Sequence, residues 1–279
     1  MTRCLHKGAI LILEGDTDTR VYKRFIDETE CMAVPANGKD NTIAVLDILK
    51  KDSFKGILAI VDADFWNIEK IKPDNVNILV TDTHDLETMI LSNSMVMDKI
   101  LSEFGSTNKM KNLPEPVISL VLDSALPIGL LRWLALPSRD NLPFIFRDLV
   151  FGNFIGETKL KINIDKLLEE IKKNSGNIEF VVKTIKSKIK SLKKENHPPW
   201  QVCSGHDMVE ILAIGFRSVF GNKKAKTLSA EILEGMLRIS YEYSHFQVTL
   251  LYVSIRNWEK ANPSYRVLKS LEISSSTST

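Results

Sequence analysis

Glu14 stands directly after the apolar run Ala9-Ile10-Leu11-Ile12-Leu13, with Gly15, Asp16 and Asp18 close behind. A second run, Gly56-Ile57-Leu58-Ala59-Ile60-Val61, stops at Asp62-Ala63-Asp64, and a third segment adds Asp82, His84, Asp85 and Glu87. Carboxylates gathered in this way suit one hard cation: magnesium takes oxygen ligands, keeps several waters and binds one or two carboxylates together with a phosphate. Like charges crowded at one edge repel one another, and a bound cation is the simplest compensation. Taken singly, each acid has a plainer use. Glu14, Asp16 or Asp18 can cap the helix that follows, and acids in the first turn of a helix opening at Thr83 or Asp85 are favoured by its dipole.

The elements that must position these acids alternate. Each apolar run is bounded by turn residues and reads as a fully buried parallel strand. Thr19–Glu28 reads as a helix with Val21, Tyr22 and Phe25 on one face, and a short strand follows over Met32–Pro35. Asn37-Gly38 makes a turn, and Asp40 or Asn41 caps a helix whose apolar positions Ile43, Leu46, Ile48 and Leu49 recur at helical spacing. An exposed loop over Phe65–Asp74, a strand over Val76–Val80 and a helix through Met89, Ile90 and Leu91 complete the pattern. Such alternation predicts βαβ units, a parallel sheet and an α/β fold. In such a sheet ligands bind beyond the carboxyl ends of the strands, where the acids fall.

The remainder has a different texture. Val117–Leu136 is long and apolar with Pro127 inside it, and reads as a kinked or broken buried helix. Phe144–Phe154 is ambiguous between strand and helix, whereas Ile164–Lys173, Ile178–Lys194, Asp207–Val219, Leu228–Ser240 and Gln247–Lys260 read as helices. We therefore expect an α/β domain over residues 1–94, a mainly helical domain over 95–270 and a disordered, Ser/Thr-rich tail over 271–279. Between Lys159 and Lys194, eleven lysines face four acids, a local net charge of +7 that leaves the rest of the 279-residue chain at −5. That run is either a solvated helix face or a surface that tracks a phosphate backbone.

With 44% hydrophobic and 26% charged residues the composition is that of an ordinary globular protein. The three cysteines, Cys4, Cys31 and Cys203, form no zinc or disulfide pattern, which fits a reducing cytosol and a cytoplasmic location. No signal peptide is expected, and Val117–Leu136, the nearest approach to a membrane span, is broken by Asp123, Pro127 and Arg132. There is no phosphate-binding Gly-x-x-x-x-Gly-Lys-Ser/Thr loop, so any ATP hydrolysis belongs to a partner.

Leu13-Glu14-Gly15-Asp16-Thr17-Asp18, followed about fifty residues later by Val61-Asp62-Ala63-Asp64, resembles the Toprim domain, the metal-dependent catalytic domain shared by topoisomerases, primases and OLD-type nucleases. Ala36-Asn37-Gly38-Lys39-Asp40-Asn41, Thr81-Asp82-Thr83-His84-Asp85-Leu86-Glu87 and Gly205-His206-Asp207 are similar to a narrower family, the AriB-like Toprim effectors of PARIS anti-phage systems. The resemblance implies that Glu14 acts as general acid/base or metal ligand, that Asp62 and Asp64 hold Mg2+ (or Mn2+), and that Asp18 is an auxiliary ligand. It also implies an ABC-type ATPase partner that senses a phage protein, and release of a nuclease that cuts transfer RNA and stops growth.

Around this core, Asp85 and Glu87 are a third set of metal ligands or ordinary first-turn acids, and His84 contacts phosphate. Lys39 reaches the scissile phosphate or is an exposed turn lysine. His206 and Asp207 bind substrate or bridge to the acidic edge, unless they are only a turn and an N-cap. The helical region is expected to dock the partner and to pair two copies into a homodimer. Cleavage of DNA in the OLD manner, a phosphoacceptor role for Asp62 and a non-enzymatic interaction role are the competing readings. A topoisomerase or primase is not, because the chain has no tyrosine-bearing strand-passage domain and no zinc fingers.

Overall fold

β1 (Ala9–Leu13) and β3 (Ile57–Val61) are buried along their whole length, as strands covered on both faces must be. The computed structural model describes residues 6–51 and 54–270; the expected tail over 271–279, and Cys4, lie outside them. In chain order the elements up to the end of the sheet are β1, α1 (Asp16–Tyr22), β2 (Cys31–Pro35), α2 (Lys39–Lys51), β3, α3 (Trp66–Glu69) and β4 (Ile78–Val80). The helices that follow are α4 (Leu86–Ser92), α5 (Ser94–Phe104), α6 (Thr107–Lys111), α7 (Val117–Ala135), α8 (Ile164–Asn174) and α9 (Val182–Lys194). The last are α10 (Pro199–Val202), α11 (Gly205–Ser218), α12 (Ala230–Ser240), α13 (Tyr243–Phe246) and α14 (Leu250–Ala261). The protein is thus α/β, with a four-stranded, all-parallel sheet in the order β2-β1-β3-β4 and helices after it.

Two compact units divide the chain, and neither is continuous in sequence. The first takes residues up to Asp62, Lys72–Asp82 and the segment from Glu242 on; the second takes Ala63–Ile71 and Thr83–Tyr241. This division stands beside the single boundary expected near residue 94, with α13 and α14 in the same unit as the sheet.

In the first unit, α1 packs on β1 and β2, α2 on β3, and α14 on β4. Register matters most at the sheet's centre, where Leu13 pairs with Pro35 on one side and Ile60 on the other, so that β1 and β3 end almost level. The C-terminal segment closes against the first helix: Ile26 and Leu268 form an antiparallel bridge, and Phe25 stacks on Phe246 with centroids 5.0 Å apart. Gly56, at φ +71°, adopts a left-handed backbone, and a Cβ there would run into the ring of Tyr265. Asp82, just past β4, accepts hydrogen bonds from the backbone N–H groups of Leu250 (2.7 Å) and Leu251 (2.7 Å) at the start of α14. Burial pushes its carboxyl group upward from the usual range, against the opposing effect of these two donors. At the far end of α14, Trp258 Nε1 donates to Asn77 Oδ1 at 2.8 Å.

In the second unit, α7 and α11 pack together at the core, with Val121, Ile128, Leu131 and Trp133 of α7 buried. α7 is one buried helix with Pro127 inside it, which leaves out the broken form of the two expected: the missing N–H costs one ladder bond, and burial of apolar side chains along the helix outweighs it. By length and composition α7 alone, among the described residues, is apolar enough to cross a membrane, and most of it is buried inside the protein. The expected loop after Asp64 contains α3, held by Glu69, whose Oε1 accepts from Trp133 Nε1 (2.9 Å) and Arg139 Nε (3.1 Å). Phe144–Phe154 forms no strand; its one regular element is a 3-10 turn at Phe151–Asn153.

Because Asp82 supplies two of the orphan donors of α14 with an acceptor, Asp82→Ala is expected to destabilise the protein by about 1–2 kcal/mol. Asp82→Asn, which keeps one acceptor oxygen, should recover part of this, as read from denaturant-unfolding midpoints.

Candidate active site

Glu14 and Asp62 follow two adjacent parallel strands that end almost level, and the consequence is a direct bond. Glu14 Oε1 accepts from the backbone N–H of Asp62 at 2.8 Å. The same peptide segment is held from the other side, where Lys39 Nζ donates to the Asp62 carbonyl at 2.6 Å. Lys39 is delivered there by Asn37 (φ 59°) and Gly38 (φ 114°), two left-handed residues that turn the chain from β2 into α2. The backbone N–H of Gly38 in turn donates to the Glu14 carbonyl at 2.8 Å. Asp18 lies at the third position of α1, and its Oδ2 accepts from the N–H of Gly15 at 3.0 Å, a capping contact. Glu14, Asp18, Lys39 and Asp62 are all half-buried, so the junction is neither core nor open surface.

In the second unit, Asp64 has φ 45°, a left-handed conformation that Asp tolerates better than most residues. Its N–H donates to the His84 carbonyl at 2.7 Å, and its Oδ1 lies 3.9 Å from His84 Nε2. His84 is buried, edge-on to Phe65 with centroids 4.8 Å apart, and its Nδ1 is 3.2 Å from the Gln201 carbonyl. Asp85 caps α4 by accepting from the Thr88 N–H (2.8 Å), and its other oxygen accepts from the N–H of Gly205 (2.7 Å) at the start of α11. A Cβ at Gly205 would collide with Glu87 and Asp85, so the close approach of these helices requires glycine there. Glu87 is buried with its Oε1 3.9 Å from Arg238 NH1.

His206 and Asp207, adjacent in sequence, part company. Asp207 is buried and receives two bonds from Arg132, from Nε at 2.8 Å and from NH2 at 2.7 Å, while the guanidinium lies 4.7 Å from the Phe146 ring centroid. His206 is 67% exposed and its Nδ1 meets Glu234 Oε1 at 2.6 Å. That hydrogen bond raises the imidazole to about 9, with burial opposing it. For Glu234 burial pushes upward, but His206 and Arg238 outweigh it and hold the carboxyl below its usual range. Cys31 and Cys203 are both buried; burial pushes the Cys31 thiol up to about 12 and Cys203 well above the ordinary thiol value.

The sequence-expected residues therefore fall into two sets by unit, with Glu14, Asp18, Lys39 and Asp62 in one and Asp64, His84, Asp85, Glu87, His206 and Asp207 in the other. Among the described residues no three His, Cys, Asp or Glu groups converge on a common point, and the Glu14 and Asp18 carboxylates accept from backbone donors. Their chemistry is nevertheless that of a hard-cation site: oxygen donors only, half-buried, at the carboxyl ends of neighbouring parallel strands. From the sequence Arg132 is only an interruption of an apolar run, and Glu234 and Arg238 do not stand out. A lone arginine inside the apolar Val117–Leu136 run is a signal for a buried acidic partner, and Glu234 and Arg238 stand four apart on α12, a spacing that pairs opposite charges. No family model matches this chain, and no curated protein matches it either.

Two outcomes test this description. Arg132→Ala leaves the Asp207 carboxylate buried without its ion pair and should cost about 3–5 kcal/mol in denaturant unfolding. For His206, a folded value of about 9 against the ordinary 6.5 means stabilisation that is complete below pH 6.5 and lost as pH rises through 9. Glu234→Gln should return the His206 titration, followed by NMR, toward its ordinary value.

Proposed function

We propose that this chain is a Toprim-type, metal-dependent nuclease, an effector of anti-phage defence that cleaves RNA, with transfer RNA as its substrate, in the cytoplasm. The observation that carries this reading is the junction at the strand ends, where the Glu14 carboxylate accepts from the Asp62 N–H and Lys39 holds the same residue's carbonyl. An acid and a cation built onto the adjacent ends of two parallel strands stand where α/β sheets bind ligands. Mg2+, or Mn2+ in its place, would be held by Glu14 and Asp62 and would supply the charge that polarises a phosphoryl oxygen and activates water. Glu14 serves as ligand or as general acid/base, oriented by its backbone donor. Lys39 places a positive charge at the same junction, suited to a phosphodiester.

The remaining expected ligands carry a second observation. Asp85 is occupied as a helix cap and as the acceptor of the Gly205 N–H, and Glu87 faces Arg238. We assign Asp85 to positioning α4 against α11 and Glu87 to positioning α4 against α12, with metal binding left to the motif acids. With no nucleotide-binding loop of its own, the chain takes its control from a partner ATPase of the ABC type, and the active form is a homodimer.

Purified wild type with Mg2+ is expected to cut labelled transfer RNA, and EDTA to abolish the cleavage. Glu14→Gln and Asp62→Asn should each lower the rate by about 100-fold or more with unfolding midpoints unchanged within about 1 kcal/mol. Cutting of supercoiled plasmid in preference to transfer RNA would replace the RNA assignment with an OLD-like DNA endonuclease. Equal activity, or equal toxicity in cells carrying the partner ATPase, for Glu14→Gln and wild type would overturn the enzymatic reading.

A further inference from the structure

The lysine-rich segment does not simply face open solvent. A cavity of about 880 Å³ in the second unit is lined by Lys161 and Lys166 on one stretch of chain and by Lys186, Lys190 and Lys193 on α9. On α9 the buried residues are Ile185, Ile189 and Leu192. The three lysines follow each of these by one position, so they form a stripe of the same helical period beside the buried one. A solvated face would turn such a stripe outward, whereas this one borders a concavity.

Charge at this groove is unbalanced. Its acids are Asp123 and Asp165, and Asp165 is already committed to Lys186 at 2.5 Å. Lys161, Lys166, Lys190 and Lys193 are exposed and make no ion pair among the described residues, whereas Lys172 and Lys188 of the same run pair with Glu179 and Asp140. Five lysines against two acids leave a net charge of +3 around a concavity with apolar walls, which focuses a positive field into it. The groove also continues. A neighbouring cavity of about 710 Å³ shares Asp123, Lys161, Ile162 and Lys193 with the first and adds Lys159 and Glu115, leaving the balance of charge positive. The two cavities share four lining residues, so together they form a track longer than either alone. Phe154, the one aromatic residue on its wall, is buried and presents no free face for base stacking.

We propose that this groove binds the phosphate backbone of a nucleic-acid strand, without regard to base sequence, through Lys161, Lys166, Lys190 and Lys193. The inference rests on the nuclease reading for its choice of a nucleic acid, but it is tested apart from catalysis. Binding of a fluorescently labelled RNA oligonucleotide is followed by anisotropy in EDTA over a range of salt concentrations. Each backbone contact contributes about 0.7 to the slope of log affinity against log salt for a single strand. Lys161→Ala/Lys190→Ala/Lys193→Ala is expected to weaken binding by about tenfold or more and to lower that slope by about two. A charge-matched control on exposed lysines of the first unit, Lys50→Ala/Lys51→Ala/Lys72→Ala, should leave both within about twofold. Unchanged affinity and slope in the groove variant would overturn the inference, as would failure of wild type to bind RNA at low salt. Displacement of the RNA by AMP or by polyglutamate at comparable charge concentration would also overturn it, in favour of a nucleotide site or an acidic protein segment. Groove-dependent binding by a protein whose wild type and Glu14→Gln are equally toxic in cells carrying the partner ATPase would uphold this inference while sinking the nuclease reading.

Discussion

A strand that runs parallel to both of its neighbours sends every following loop to the same edge of the sheet, and β1 is such a strand. The arrangement of the first unit follows from that constraint. With Leu13 level with Ile60, the residue after β1 and the residue after β3 cannot avoid one another, and the chain has placed an acid at one and a backbone donor at the other. Because the apolar residues of β1 and β3 are buried on both faces, a one-residue slip would expose no new side chain to water but would part Glu14 from Asp62. The polar bond thus specifies a register that burial alone leaves open.

The acids that cluster in sequence serve different ends in three dimensions. Asp82 and Asp85 accept from backbone donors at the starts of α14, α4 and α11, and Asp207 neutralises a guanidinium that would otherwise stand among apolar neighbours. All of these are fixed positions for charge. A carboxylate at a helix start satisfies orphan N–H groups and the dipole together, so it needs no external cation. Glu14 and Asp62 differ in lying at strand ends, where the sheet contributes little field of its own.

Much of the sheet was legible because its signal is local. Uninterrupted apolar runs bounded by turn residues mark β1 and β3, and Asn37-Gly38 marks the left-handed turn before α2. The helix expected over Thr19–Glu28 instead spans Asp16–Tyr22, since Gly15 and Asp18 cap it early, and the residues beyond it bridge to Leu268. That bridge joins positions far apart in the chain, and no window of sequence contains both. Pro127 shows a related limit: local propensity leaves a kink or a break open, and the packing around α7 keeps a single helix. At the candidate site the identities of Glu14, Asp62 and Lys39 were readable, but their bonding through one peptide was not, because it depends on strand register.

The return of the chain to the sheet has a consequence for how the protein comes into being. α14 lies against β4, Asp82 receives its first N–H groups, and Leu268 bridges to Ile26, so the first unit is complete only with residues near 270. A ribosome making this protein from the N-terminus releases β1 to β4 long before their last partner. The sheet that carries Glu14 and Asp62 therefore stays unfinished until residues near 270 have left the ribosome, and whatever chemistry it performs begins no earlier than that.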